Sequence, residues 1–428
     1  MKFESDWKAF GAVGALWAMM AVAPLLAPGP SVSFKTPHAA ARPLEKADAR
    51  SAPISKPLAQ GPAALQAQLQ TLADRYRDRV GIAIIDIPNN WEVSVRGSEA
   101  FPQQSVSKFW VAIAVLDAVD RGALRLNTPV LMLRSDLSVF FQPIARKVGP
   151  MGYMTTVADL LQRAISDSDN AANDKLIRML GGPQAVTAVL RRKGLAGVRL
   201  GYEERVLQAK TAGMEWKPEY AGSPLFREVR AALPDSVRDN AMAAYLADPP
   251  DSATPDGMAE GLARLDRGEL LKPESTRRLL EIMASTRNGP RRLKGGLPDG
   301  WSISHKTGTG QDLRNYSVGI NDVGVITAPD GHGYAVAVFI AKTSHGIPAR
   351  LAFMQEVTHA LVDIWAGRRQ AHNTAVTVSA AEAASEGDGS AATPSAAATS
   401  PAPLAHRAHR QADSVRPKRR HSRRGHRR

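Results

Sequence analysis

The chain has 428 residues, and a hydrophobic fraction of 44% is enough to build a sizeable core in one to about three domains. It has no cysteine, which excludes disulfide bonds, cysteine-ligated zinc and thiol nucleophiles. The formal net charge is +14, but residues 401–428 hold ten Arg or Lys against the single acid Asp413 and contribute +9 of it. The body is therefore only mildly basic, and we expect no specific nucleic-acid partner.

Residues 1–41 predict export from the cytoplasm. An apolar run of 18 residues, 10–27, follows Lys2 and Lys8, and the small residues 39–41 offer a cleavage site. A run of about this length can also cross a bilayer once, so a cleaved signal peptide and a membrane anchor both stay open. We expect the folded part to be periplasmic, either free or anchored at the N-terminus. Residues 42–59 are predicted to be a linker.

The next elements follow from periodicity. Apolar residues at helical spacing predict a helix over 65–76, and buried or alternating patterns predict strands at 81–86 and 91–96. A helical region extends to about residue 290. Three further strands are predicted at 302–309, 322–327 and 334–342, and a last helix at about 348–366.

This order predicts an α/β (α+β) fold. Strands from both ends of the chain would form a five-stranded antiparallel sheet flanked by terminal helices, with an all-α domain inserted between them. The domain is predicted to span residues 60–370. Its sheet part comprises 60–104 and 295–370, and its helical part 105–294. Residues 371–428, rich in Ala and Ser and then basic, are predicted to be disordered.

The first chemical motif is a serine three residues before a lysine, Ser105 and Lys108, at the predicted start of an apolar helix. Residues three apart share a helix face, so the lysine amine can reach the serine hydroxyl. A helix N-terminus also favours developing negative charge. The spacing alone is weak, because Ser5 and Lys8 match it within the export segment.

Two further motifs follow in order. The first, Ser168-Asp169-Asn170, comes after a helical segment, where such residues could equally form a helix cap. The second, Lys306-Thr307-Gly308, lies in an alternating strand, where the lysine could simply be exposed. Three matches in this order, each in its expected element, are typical of a penicillin-interacting serine hydrolase.

On these motifs, residues 60–370 resemble a class A β-lactamase. Further stretches agree with the resemblance: Phe101-Pro102, Gly181-Gly182-Pro183, residues 266–271 and residues 296–301. It implies that Ser105 attacks the lactam carbonyl, that Lys108 takes its proton and that Ser168 protonates the departing nitrogen. It also implies an oxyanion hole made by two backbone N–H groups, those of Ser105 and Thr309. The implied substrate-binding residues are Asn170, Phe141, Lys306, Thr307, Gly308 and Thr309.

Hydrolysis of the acyl-enzyme requires a glutamate in this family. The resemblance places Glu204 there, with the neighbouring Glu203 as the alternative. Gln208 stands where the family usually has an asparagine. Tyr202 stands where an arginine usually braces the loop against an aspartate, here Asp251.

Two insertions depart from the family pattern. The first covers about residues 209–250 and contains a predicted helical stretch at about 225–247. The second, residues 313–317, brings Arg314 to the expected rim of the site, where it could contact a substrate carboxylate.

The sequence therefore predicts a serine β-lactamase that acts on a small-molecule β-lactam. The alternative is a penicillin-binding DD-peptidase or related serine hydrolase or esterase, with cell-wall peptide as substrate and slow or different deacylation. A non-enzymatic envelope protein is disfavoured by the intact motifs. We expect a monomer and no cofactor, and no His, Asp or Glu cluster near the motifs has the spacing of metal ligands.

Overall fold

The structure is a computed structural model that describes residues 57–386, with side chains over residues 57–370. The predicted export segment, most of the linker and the basic tail lie outside the described residues. No helix within residues 57–386 is both long enough and apolar enough to cross a membrane.

The described part of the chain has most of its strands near its two ends and most of its helices between them. Its strands are β1 (Ala59–Gln60), β2 (Val80–Asp86), β3 (Trp91–Val95), β4 (Phe101–Pro102), β5 (Pro129–Met132), β6 (Tyr153–Thr156), β7 (Ser252–Ala253), β8 (Ser302–Gly308), β9 (Asp312–Leu313), β10 (Tyr316–Thr327) and β11 (Gly333–Thr343). Its helices are α1 (Ala63–Tyr76), α2 (Lys108–Asp120), α3 (Val157–Gln162), α4 (Asn170–Leu180), α5 (Pro183–Arg192), α6 (Glu204–Thr211), α7 (Leu225–Ala232), α8 (Asp235–Ala247), α9 (Pro255–Asp266), α10 (Pro273–Ala284) and α11 (Ile347–Glu386).

The main sheet joins the two ends of the domain, as predicted. The five predicted strands pair antiparallel in the order β3-β2-β11-β10-β8. Two short strands raise the total to seven, because β1 pairs parallel to β3 and β9 pairs with β10. Strands of two residues are too short to show an alternating pattern, so the sequence could not reveal them.

Both faces of the sheet are covered. Helices α1 and α11 pack on one face through Leu65, Leu69, Met354, Val357 and Leu361. The helical part covers the other face, with α2 running through its core. Because it is sandwiched between these layers, β2 is buried along its whole length.

Helix α11 is longer than predicted. It continues to Glu386, so the prediction of disorder is wrong for residues 371–386. This stretch has no apolar face that repeats at helical spacing, but residues 374–386 hold five alanines and no proline or glycine. Alanine has the highest helix propensity, and extending an existing helix avoids the cost of nucleation.

The predicted helical stretch at 225–247 is divided in two. Helix α7 ends at Ala232 and α8 begins at Asp235. The break falls at Leu233 and Pro234, because proline lacks a backbone N–H and pushes the preceding residue into the extended conformation seen for Leu233.

Candidate active site

A cavity of about 560 Å³ opens where the start of α2, the end of β8 and helix α6 meet. Its walls bring together residues that lie up to 207 positions apart in the chain. The predicted site residues that line it are Ser105, Phe141, Ser168, Asn170, Glu204, Thr307 and Thr309. Lys108, Lys306 and Gly308 are buried directly against them.

Ser105 lies in a 3₁₀ turn, Gln104–Ser107, that leads directly into α2. Gln104 has a φ of 51°, a left-handed conformation that costs free energy for a residue with a Cβ. The carboxylate of Asp251 holds this turn by accepting the backbone N–H of Gln104 at 2.7 Å. The Ser105 hydroxyl has no hydrogen-bond partner in the described part of the chain and faces the cavity.

Lys108 is fully buried one turn along from Ser105. Its Nζ donates to Asn170 Oδ1 at 2.6 Å and to the Ser168 carbonyl at 2.8 Å. Burial lowers the pKa of Lys108, although nearby carboxylates, Glu204 first, oppose the shift. A buried lysine of lowered pKa can act as a base more readily than a solvated one.

Ser168 links the two buried lysines. Its Oγ accepts from Lys306 Nζ at 2.9 Å and lies 3.4 Å from Lys108 Nζ. Burial lowers the pKa of Lys306 well below its usual value, and the positive charges of Lys108 and Arg292 add to the effect. The helix-cap interpretation of this motif holds for Asp169 alone, which accepts the backbone N–H of Ala172 as the N-cap of α4.

The third motif lies in β8, as predicted, and Arg292 completes this side of the cavity. Arg292 donates to the carbonyls of Gly308 and Asn321 and to Thr309 Oγ1, at 2.8, 2.6 and 2.7 Å. The sequence analysis missed Arg292, because it lies in an irregular segment beside a second arginine and no local pattern marks it.

Arg314 lies elsewhere. Its guanidinium pairs with Asp239 at 2.5 Å and with Asp235 at 3.7 Å, and it does not line the cavity. The suggestion of a substrate contact there is therefore wrong. The arginine that the first insertion brings into the cavity wall is Arg230, on α7.

Glu204 begins helix α6 and is 5% exposed. Asp174 caps this helix by accepting the backbone N–H groups of Glu204 and Arg205 at 2.6 and 3.1 Å. Burial, with the negative charges of Glu204 and Glu203, raises the pKa of Asp174 to about 7. Glu203 is paired with Arg178 at 2.6 Å, so of the two glutamates it is Glu204 that lines the cavity beside Ser105.

Asp251 is braced by a tyrosine from the insertion and not by residue 202, where the family usually has an arginine. Tyr245, on α8, donates its hydroxyl to Asp251 at 2.9 Å, whereas Tyr202 is 38% exposed. Burial raises the pKa of Asp251 to about 6. The sequence could not reveal the contact between Tyr245 and Asp251, because Tyr245 lies in the insertion and no family motif covers that segment.

The two neighbouring phenylalanines at the cavity mouth, Phe140 and Phe141, have different surroundings. Phe141 is 55% exposed at the cavity rim. Phe140 packs edge-on against Phe226 of α7, with ring centroids 5.4 Å apart. Within residues 57–370, no group of three or more His, Asp or Glu is arranged to hold a metal ion.

Comparison with known proteins identifies the family. The family model for the "Beta-lactamase enzyme family" matches residues 64–365. The extended-spectrum β-lactamase PER-1 of Pseudomonas aeruginosa is 29% identical over 294 residues, which cover 68% of this chain and 84% of PER-1. The β-lactamase CTX-M-97 of Escherichia coli is 31% identical over 274 residues, or 64% of this chain and 79% of that protein.

Solved structures give the same result. The extended-spectrum β-lactamase TLA-3 matches with a TM-score of 0.59 and 25% identity, covering 71% of this chain and 99% of its own. An ancestral class A β-lactamase matches with a TM-score of 0.56 and 32% identity, covering 70% and 99%. The chain therefore belongs to the β-lactamase enzyme family, among its class A members.

Proposed function

We propose that this protein hydrolyses β-lactams in two steps, through an acyl-enzyme on Ser105 that a water activated by Glu204 then releases. One observation carries the proposal. Glu204 is buried in the wall of the same cavity as Ser105, and Gln208 Nε2 donates to its carboxylate at 2.9 Å. A fixed carboxylate beside a nucleophilic serine is what general-base release of an acyl group requires.

In the first step, Ser105 Oγ attacks the lactam carbonyl carbon and its proton passes to Lys108, directly or by relay. The backbone N–H groups of Ser105 and Thr309 hold the resulting oxyanion; losing one such donor costs roughly 100- to 1,000-fold in rate. The ring C–N bond then breaks. Ser168, whose hydroxyl contacts both buried lysines, gives a proton to the departing nitrogen.

The carboxylate of the substrate would bind at the end of β8. Lys306, Thr307 and Thr309 supply a positive charge and hydroxyl donors there, and Gly308 lets the backbone approach closely. A Cβ at Gly308 would lie 2.7 Å from the Gln103 carbonyl oxygen. Arg292 adds a second cation at this end, beside Thr309. Asn170 and Phe141 line another part of the cavity, where the acyl side chain would lie.

In the second step, Glu204 takes a proton from water as the water attacks the ester carbonyl. The bond to Ser105 Oγ then breaks, and a proton passes back to that oxygen. Glu204→Ala should therefore allow acylation and trap the acyl-enzyme, with deacylation slower by about 100- to 10,000-fold. Glu203→Ala is the matched control, since Glu203 pairs with Arg178 instead. Intact-protein mass spectrometry after mixing with benzylpenicillin measures the adduct.

Turnover by the full chain separates this proposal from its alternative. Sustained hydrolysis of a chromogenic cephalosporin is the expected result. A single stoichiometric burst with a stable adduct on Ser105 would instead indicate a penicillin-binding peptidase or related hydrolase. The absence of any adduct would exclude both.

We also propose that the protein is exported and acts as a monomer in the periplasm, free or anchored through residues 1–41. The support is the apolar run at 10–27 with its preceding lysines. Cell fractionation and the mass of the mature chain would test it. A full-length chain in the cytosol would contradict export, and size-exclusion chromatography with light scattering would test the monomer.

A further inference from the structure

A continuous line of hydrogen bonds joins the insertion to Glu204. Arg230 Nε, on α7, donates to Gln311 Oε1 at 2.8 Å. Gln311 Nε2 donates to Gln208 Oε1 at 2.9 Å, and Gln208 Nε2 donates to Glu204 Oε1 at 2.9 Å. Four side chains from three separate segments thus form one path that ends on the proposed general base.

The direction of this line is fixed by its two ends. A guanidinium can only donate hydrogen bonds, and an ionised carboxylate can only accept them. Each of the two carboxamides between them, Gln311 and Gln208, can satisfy both neighbours in one orientation only. Reversing Gln208 would turn its carbonyl oxygen towards Glu204 and place two acceptors against each other.

A second branch enforces the same orientation. The Gln208 amide also donates to Gln104 Oε1 at 2.9 Å, and Gln104 Nε2 donates to the Tyr245 hydroxyl at 2.5 Å. Tyr245 then donates to Asp251, which again only accepts. The three glutamines are at most 6% exposed, so a misplaced donor or acceptor here would lose its partner without gaining water.

Both partners of the Arg230 side chain lie in one segment, at Gln311 and Asp312. Its other hydrogen bond goes to the Asp312 carbonyl at 3.1 Å, so both of its contacts are with neutral oxygens. Within residues 57–370 it has no carboxylate within 4 Å, unlike Arg314, which pairs with Asp239. The insertion therefore supplies a donor-only group at the start of the line.

We propose that Arg230 and Gln311 are positioning residues for deacylation. They fix the Gln208 carboxamide so that its N–H group, and not its oxygen, faces Glu204. The insertion is thereby part of the machinery that releases the acyl group. This inference rests on the proposed role of Glu204.

Gln311→Glu is the decisive variant. A glutamate at 311 still accepts from Arg230, and more strongly, so the link to α7 is kept. It cannot donate to Gln208, whose side-chain oxygen and backbone carbonyl both lose the donor that Gln311 Nε2 supplies at 2.9 Å. The Gln208 carboxamide is then held less firmly with its N–H group towards Glu204. We expect kcat for benzylpenicillin to fall about tenfold or more, while the acylation rate constant changes less than about twofold, and acyl-enzyme to accumulate.

Arg230→Met tests the other end of the line, and Arg227→Met is its matched control on the same helix, exposed and outside this cavity. The first should lower kcat about three- to tenfold, and the second should leave it unchanged. Stopped-flow acylation, steady-state kcat and mass spectrometry of the full chain measure these effects.

The outcomes separate this inference from the proposed function. A wild-type kcat in Gln311→Glu would overturn the inference, because it would show that donation from residue 311 to Gln208 does not affect deacylation. Equal losses in acylation and deacylation would also overturn it, since they indicate general loosening of the site. In a parallel experiment, failure of Glu204→Ala to trap the acyl-enzyme would show that Glu204 is not the general base. That result would contradict both the proposed function and this inference.

Discussion

A cluster of carboxylates that does not line the cavity shows how burial acts on single residues. Glu92 on β3 lies against Asp256 and Glu260 of α9, and each of the three has a buried carboxylate oxygen without a hydrogen-bond partner. Burial, and then the charges of its two neighbours, raises the pKa of Glu92 to about 8. In the unfolded chain a glutamate ionises near pH 4.5. Between these values the folded state holds a proton that the unfolded state has lost, so stability falls as pH rises.

Glu92→Gln should remove this pH dependence. An amide stays neutral, so we expect the variant to melt at a higher temperature than the parent at pH 9, with a much smaller difference at pH 5. Thermal unfolding followed by circular dichroism at both pH values measures it. Glu99→Gln, at an exposed carboxylate after the same hairpin, is the control. An equal shift for Glu92→Gln at both pH values would contradict the assignment of the proton to Glu92.

At the scale of elements, the insertion is anchored by its own small core. Phe226 on α7 is 1% exposed and packs against Phe140 and Tyr220. Phe140 in turn precedes Phe141 at the rim, and the Val139 carbonyl accepts from Asn170. The packing of α7 therefore bears directly on the cavity mouth.

Phe226→Ala should cost about 3–5 kcal/mol of unfolding free energy, the usual range for removing a buried phenylalanine. It should also raise KM, because Phe140 loses the ring it packs against. Urea unfolding and steady-state kinetics measure the two effects. Val237→Ala on α8, where the side chain is 38% exposed, should cost about 0.5 kcal/mol or less. Similar costs for the two variants would mean that the cluster does not hold the insertion.

For the whole molecule, the sheet depends on both ends of the domain. Helix α11 covers one face with Phe353, Met354, Val357 and Leu361, and Arg368 near its middle pairs with Asp86 of β2 at 2.8 Å. Residues 347–370 of α11 therefore supply contacts that cover the sheet.

Because residues 371–428 show no apolar face that repeats at helical spacing, deleting them should leave the melting temperature and kcat unchanged within error. Deleting residues 347–428 should expose the apolar face of the sheet and yield aggregated protein. Solubility, circular dichroism and cephalosporin turnover of the two truncations measure this. Loss of activity in the shorter deletion would mean that the C-terminal segment takes part in folding or catalysis.

The sequence by itself determined the features that depend on local spacing. These features are the helical period in α1 and α11, the alternation in the sheet strands, and the short motifs around Ser105, Ser168 and Lys306. Each of them is contained in a short stretch of sequence. Such patterns fix which side chains share a face, so they predicted the sheet from both chain ends and the elements that carry the motifs. The resemblance placed Glu204 by aligning Arg199-Leu200 and Leu207 with the family's loop, and its role as the base stays a prediction.

Only the tertiary structure decided the contacts made across long separations. Tyr245 takes over the brace on Asp251, Arg314 pairs with Asp239, and Arg230 meets Gln311 across 81 positions. The two-residue strands and the extension of α11 to Glu386 also left no repeating pattern in the sequence. A hydrogen bond depends on where two segments pack, and packing is set by the shape of the whole core, which no short stretch of sequence contains.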